Sequence, residues 1–120
     1  MATPILNLYV KKGSQFRKNI IWKDINKNLV NLTDYKGRMK IKEYLNEANT
    51  ILTLTTENGG ITLGGSAGTI DLYIGASDTT DITINTGWYD IEIYNPLDED
   101  DIESAFQGFV NFEDNVTIWV

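Results

Sequence analysis

Apolar and polar residues alternate over several short stretches of this chain, at the two-residue period of a strand with one buried face. In GRMKIKEY (37–44) Met39 and Ile41 fall on one side and Arg38, Lys40 and Lys42 on the other. TIDLYI (69–74) gathers Ile70, Leu72 and Ile74. GWYDIEIYN (87–95) is the clearest case, with Tyr89, Ile91 and Ile93 inward and Asp90 and Glu92 toward water. Residues 102–112 read inward through Ile102, Phe106, Val110 and Phe112. ILNLYV (5–10), FRKNIIWKD (16–24), ILTLTT (51–56), ITL (61–63) and VTIWV (116–120) read as strands from their apolar and β-branched content. Leu29 to Leu32 is a further short apolar stretch.

Turn formers punctuate these stretches. Lys12-Gly13-Ser14, ENGG (57–60), GGSAG (64–68) and PLDEDD (96–101) are reversals, and Pro96 stops its strand. YLNEAN (44–49) suits a strand end or one helical turn, and ASDTTDI (76–82) a helical turn capped by Ser77. About eight short strands at spacings of roughly 8–12 residues predict a sandwich or barrel. The expected fold is all-β: one antiparallel β-sandwich domain over residues 1–120, immunoglobulin-like in architecture. With no long helical pattern there is no βαβ unit and no dinucleotide crevice.

Composition narrows the chemistry. The 120 residues contain neither Cys nor His, which excludes disulfides, thiolate–imidazole metal sites and Ser-His-Asp or Cys-His nucleophiles. The glycines at 59–68 are not followed by a helix or by Lys-Ser/Thr, so they do not form a phosphate loop. Asp98 to Asp101 lack the spacing of a calcium loop and read as a solvated hairpin tip. Asp90 and Glu92 share a wet strand face and read as surface decoration rather than a glycosidase pair. We therefore expect no enzyme, no cofactor and no metal. No run approaches 18 apolar residues, and MATPILNLYV lacks a basic start, so neither a membrane helix nor a secretory signal is expected.

Charge is divided along the chain. All ten bases lie in residues 1–42 with two acids, a net of +8, while residues 43–120 hold fifteen acids and no base. Either the two segments pair across strands, or the folded domain has two electrically different ends that orient it against partners. An acidic chain is a poor match for nucleic acid.

The aromatics divide as well. Trp22, Tyr89 and Phe106 fit core positions, whereas Trp88 and Phe109 fall out of phase with the inward set. Trp119 and Val120 close the chain as an apolar tail. Trp88, Phe109, Trp119 and Val120, with the basic set Lys11, Lys12, Arg17 and Lys18, are the candidate interface residues.

The strings VNLTDYKGRMKIKE, ILTLTTENGGITLGGSAGTIDLYIGASDTTDI, GWYDIEI and FQGFVNFEDNVT resemble a family of small structural proteins of tailed, cyanophage-like bacteriophages. Leu32, Thr33 and Tyr35 match its Leu-Thr-x-Tyr element, and Arg38, Met39 and Ile41 its next strand. Gly59, Gly60 and Ile61 match its hairpin, and Tyr89 to Ile93 its signature strand. The resemblance spans roughly residues 16–117. Asp34 stands where Gly is usual, and Ile118-Trp119-Val120 follows Val116-Thr117 where the family has Arg. The resemblance implies a virion component of tail, baseplate, neck or fibre attachment that binds copies of itself or other virion proteins. A carbohydrate-binding adhesion module on the particle, or a capsid decoration protein, is the alternative.

Overall fold

The computed structural model describes residues 3–44 and 49–114. Eight strands form two sheets: β1 (Leu8–Lys11), β2 (Phe16–Ile21), β3 (Lys36–Lys42), β4 (Leu52–Thr55), β5 (Ile61–Leu63), β6 (Thr69–Ile74), β7 (Thr86–Asn95) and β8 (Asp98–Glu113). One sheet has the order β1-β8-β7-β3-β4 and the other β2-β6-β5. All pairs are antiparallel except β1 with β8, which run parallel. The order is that of an immunoglobulin-like sandwich, with one sheet built around the β7–β8 hairpin and β3, and β2 in the other.

Alternation made the core. β3 buries Gly37, Met39 and Ile41 and exposes Arg38 and Lys40, while β7 buries Tyr89, Ile91 and Ile93. Across the sandwich lie Ile20, Ile61, Ile70, Leu72 and Ile74, all buried. Immunoglobulin domains tie these layers with a disulfide. Here an aliphatic core does so, and a chain of this size can manage without a crosslink. The Tyr89 hydroxyl reaches out of the core and donates to the Leu6 carbonyl, anchoring the segment before β1.

Gly108 lets that segment approach. A Cβ there would sit 2.5 Å from the Leu6 carbonyl oxygen. In the β4–β5 turn Gly59 has φ +81°, a conformation that only Gly adopts cheaply. Asp34 has φ +66°, a left-handed backbone that Asn, Asp and above all Gly adopt most readily.

In the short apolar stretch Leu29 to Leu32, Leu29 makes one isolated bridge to Lys23 and Leu32 is buried. Several expectations need correcting. Residues 76–78 form a 3-10 turn capped by Gly75, not by Ser77, because Gly75 N–H donates to the Asp78 carboxylate that closes the turn. β8 begins at Asp98, four residues earlier than expected, after a reversal at Pro96-Leu97. Its inward phase also shifts. Ile91 pairs with Phe106 and Glu92 with Ser104, so Ala105 is an extra, fully buried residue. That bulge leaves Ile102 39 % exposed, against the expectation that it faces inward. The helical option at YLNEAN falls largely on residues 45–48, and the last strand on 116–120, outside the described residues.

Candidate functional site

The outward side chains of the five-stranded sheet form one continuous surface. Strand pairing sets its rows: Trp88 lies between Phe109 and Lys42, Asp90 between Gln107 and Lys40, and Glu92 between Ser104 and Arg38. Thr53 and Thr55 of β4 face Lys40 and Arg38. Apart from Phe109 and Ser104, these residues line a cleft of about 610 Å³ across β8, β7, β3 and β4.

An aromatic row borders the cleft. The Phe109 ring meets Tyr9 edge-on at 5.9 Å and Trp88 edge-on at 6.3 Å. Such pairs hold each ring with about 0.5–1.5 kcal/mol beyond area burial. Tyr9 nevertheless stays 57 % exposed and Trp88 40 %. A rigid, half-wet row of this kind is typical of anchor residues at protein interfaces.

Two bases of β3, Lys36 and Arg38, are paired with acids. Arg38 Nε donates to Glu92 Oε1 at 2.8 Å, and its guanidinium lies 4.6 Å over the Tyr94 ring. Lys36 Nζ lies 3.3 Å from Glu57, whose carboxyl is held below its usual range by a Thr56 hydrogen bond and then by Lys36. Asp90 titrates above the usual range, mainly because the sheet desolvates it and secondarily because Glu92 is near.

The expected charge division therefore does not survive folding in the form of two opposed ends. β3 carries bases from the first segment and lies directly against the acids of β7. Lys11 is in register with Glu113, and Lys12 Nζ lies 3.2 Å from Asp114. Pairing across strands is the reading that holds at these positions.

The candidate interface residues do not converge on one site. Trp88 and Phe109 are neighbours on the outer face, and Lys11 joins them beyond Tyr9. Lys12 is occupied by Asp114. Arg17 and Lys18 lie on β2 in the other sheet, where the Arg17 guanidinium stacks 4.5 Å over Tyr73. Trp119 and Val120 are outside the described residues. Tyr9 and Gln107 belong to the surface and were missed. Tyr9 alternates out of phase with buried Leu8 and Val10, a signal that was present in the sequence.

A second, smaller cavity of about 80 Å³ lies beneath the β2–β3 loop, between Trp22, Leu32, Tyr35 and Ile93. The Tyr35 hydroxyl donates to Asp101 Oδ2 at 2.7 Å, and this bond raises the Tyr35 titration above its usual value. Its volume is that of a few water molecules. Among the described residues no three acidic side chains converge as a metal site would require.

No protein-family model matches the chain, and no curated protein matches it. Among solved structures it is similar to the extracellular domain of the voltage-gated sodium channel beta4 subunit, with 16 % identity, a TM-score of 0.52 and 97 % of each chain covered. That structure is described as a parallel homodimer that explains the subunit's role in cell–cell adhesion. At this identity the likeness establishes the immunoglobulin-like fold and nothing finer.

Proposed function

We propose that this chain is a non-enzymatic structural module of a tailed-phage virion, which binds its neighbours through the outer face of the five-stranded sheet. The observation that carries the binding reading is the aromatic row Tyr9-Phe109-Trp88 beside the 610 Å³ cleft. It is exposed, pre-ordered and flanked by paired charges, which supplies area at small entropic cost. Self-association is in keeping with the homodimers described for the structurally similar beta4 domain.

The phage part rests on the sequence resemblance. The protein is then made in the host cytoplasm and ends in the particle, with copies of itself or other virion proteins as partners. The test is the particle itself. Virions of the encoding genome should contain the chain in fixed stoichiometry, and Trp88→Ala should abolish its incorporation while leaving it folded. Virions that lack the chain would refute the phage assignment.

A second reading has one observation in its favour. Trp88 stands beside Asp90, Glu92 and Gln107 in a cleft, as a sugar-stacking platform would. Saturable glycan binding lost in Trp88→Ala would favour the adhesion module instead.

A further inference from the structure

Four strands lie at sheet edges, and they are not equally closed. β5 has three residues and β1 four. β4 is capped by the Asn58 amide, which donates to the Thr53 carbonyl and accepts from the Thr55 N–H. β2 is the longest edge, six residues from Phe16 to Ile21. Its bonding phase is fixed from both sides of β6. Trp22 N–H donates to the Gly68 carbonyl, in register with the pairs Ile20–Ile70, Lys18–Leu72 and Phe16–Ile74. Tyr73 N–H turns the other way, to the Gly60 carbonyl just before β5. Alternation therefore directs the N–H and C=O of Arg17, Asn19 and Ile21 away from the sheet. Among the described residues no backbone group bonds to them.

Positive charge without an ion-pair partner gathers on the same edge. Residues 16–23 carry Arg17, Lys18 and Lys23 and no acid. The ion pairs among the described residues use Lys12, Lys36 and Arg38, and none uses these three. Asp71, the acid of neighbouring β6, is held by the Asn19 amide, which donates to its Oδ1 at 2.6 Å. Arg17 stands over the Tyr73 ring. Lys18 shares the inward phase of Phe16 and buried Ile20 and lies opposite buried Leu72, yet it is exposed. An inward charge at an edge repels a like strand, and it needs a carboxylate once an added strand covers it.

We propose that β2 accepts, as an added antiparallel strand, an extended acidic segment of a different protein, with a carboxylate opposite Lys18 between two apolar residues. Arg17, Asn19 and Ile21 supply the backbone bonds, and alternate side chains set the register, as in strand addition generally. Lys18 then falls at a non-hydrogen-bonded pair, where facing side chains lie closest, so the carboxylate meets its ammonium. The two apolar residues lie beside Phe16 and Ile20 and extend the inner layer. The fold accommodates a strand on this side, because immunoglobulin-like sandwiches set their first strand beside the second. Here the first strand is committed to the other sheet by its pairing with β8.

Charge argues for a different protein rather than a second copy. Among the edge strands, β1 ends in Lys11, and β4 and β5 carry no acid. A second β2 brings Arg17 and Lys18 to an edge that is already basic. The acids that open β8 do not offer a flat edge, since the register with β7 shifts between Tyr94 and Asn95. Nor do three alternate residues from Asp98 to Phe106 read apolar, acid, apolar. The contact lies on the three-stranded sheet and is independent of the outer face that carries Trp88.

The test uses full-length chains carrying Trp88→Ala, so that the result does not depend on whether the outer face binds. The probe is a capped peptide, Thr-Val-Thr-Glu-Thr-Val-Thr, titrated to millimolar concentration and followed by amide NMR. Binding should saturate, with shifts and slowed amide exchange at Arg17, Asn19 and Ile21. A peptide with Lys in place of Glu should bind about tenfold more weakly. Lys18→Glu, a change at an exposed position, should reverse that preference, so that the Lys peptide binds better. Absence of saturation, equal affinity for the two peptides, or shifts centred on β1 or β4 overturns the inference. A lysine that merely guards the edge excludes both peptides, which overturns it as well. So does association of the Trp88→Ala chains with one another that Lys18→Glu disperses, since the occupant is then a second copy.

Discussion

Replacing Asn58 by Ala removes a single exposed side chain, and the structure gives it a large effect. Its Oδ1 accepts from Thr55 N–H at 2.9 Å and from Gly60 N–H at 2.8 Å, and its Nδ2 donates to the Thr53 carbonyl at 2.9 Å. Each such bond contributes about 0.5–1.5 kcal/mol net. The two at the β4 edge belong at the low end, since water replaces them. Gly60 is buried, and its N–H loses its partner at about 1–3 kcal/mol. The sum is about 2 kcal/mol, roughly a 30-fold drop in the folding constant. In urea this lowers the unfolding midpoint by about 1 M for a typical slope. The same change bares the edge of an uncharged strand, so light scattering on gentle heating should rise. Thr62→Ala, on the exposed side of β5, is the control and should stay within about 0.5 kcal/mol. An Asn58→Ala chain as stable as that control, and no more prone to scatter, would refute the view that this amide seals the sheet.

Gly108→Ala drives a Cβ to 2.5 Å from the Leu6 carbonyl oxygen; calorimetry should find a loss of about 2 kcal/mol or more, with amide exchange fastest at Leu6 to Val10. Tyr89→Phe leaves the Leu6 carbonyl without its hydroxyl donor and should cost about 1–3 kcal/mol in the same measurement. Asp90 titrates high when folded, so it binds its proton more tightly than in the unfolded chain. Its contribution is therefore most favourable below about pH 4 and is lost as pH rises through the higher folded value. Asp90→Asn should raise stability at neutral pH by less than about 1 kcal/mol, given its partial exposure, and the gain should vanish in acid. A gain that grows on acidification would reverse the assigned cause.

Much of this fold was legible because the two-residue period is strong where one face is buried. β3 and β7 are cases in which Met39, Ile41, Ile91 and Ile93 could only face one way. The misread parts depend on partners that no local pattern names. Ala105 bulges because β7 fits β8 on both sides of it, and only the paired strand reveals the shift at Ile102. Asp98 to Asp101 have poor strand propensity; they extend because the Pro96-Leu97 reversal returns the chain alongside Asn95. Gly75 displaced Ser77 as the cap because Asp78 folds back onto its N–H. At the candidate site Trp88 and Phe109 were visible by phase alone, whereas their meeting with Tyr9 required the parallel pairing of β1 with β8. The charge division illustrates the same limit. Bases in the first segment and acids in the second are neighbours once β3 lies against β7, and sequence distance carries no information about that.

The central claim is that the outer face of the five-stranded sheet is a protein-binding surface anchored on Trp88. Its most direct measurement is the affinity of the chain for the virion protein it co-purifies with, for wild type, Trp88→Ala and Leu97→Ala. Leu97 is 94 % exposed at the far hairpin and serves as an equally apolar control. The account predicts that Trp88→Ala weakens binding by 2 kcal/mol or more, about 30-fold, with the unfolding midpoint nearly unchanged. Leu97→Ala should bind as wild type does. Equal affinities for all three chains, or a loss confined to Leu97→Ala, would contradict it.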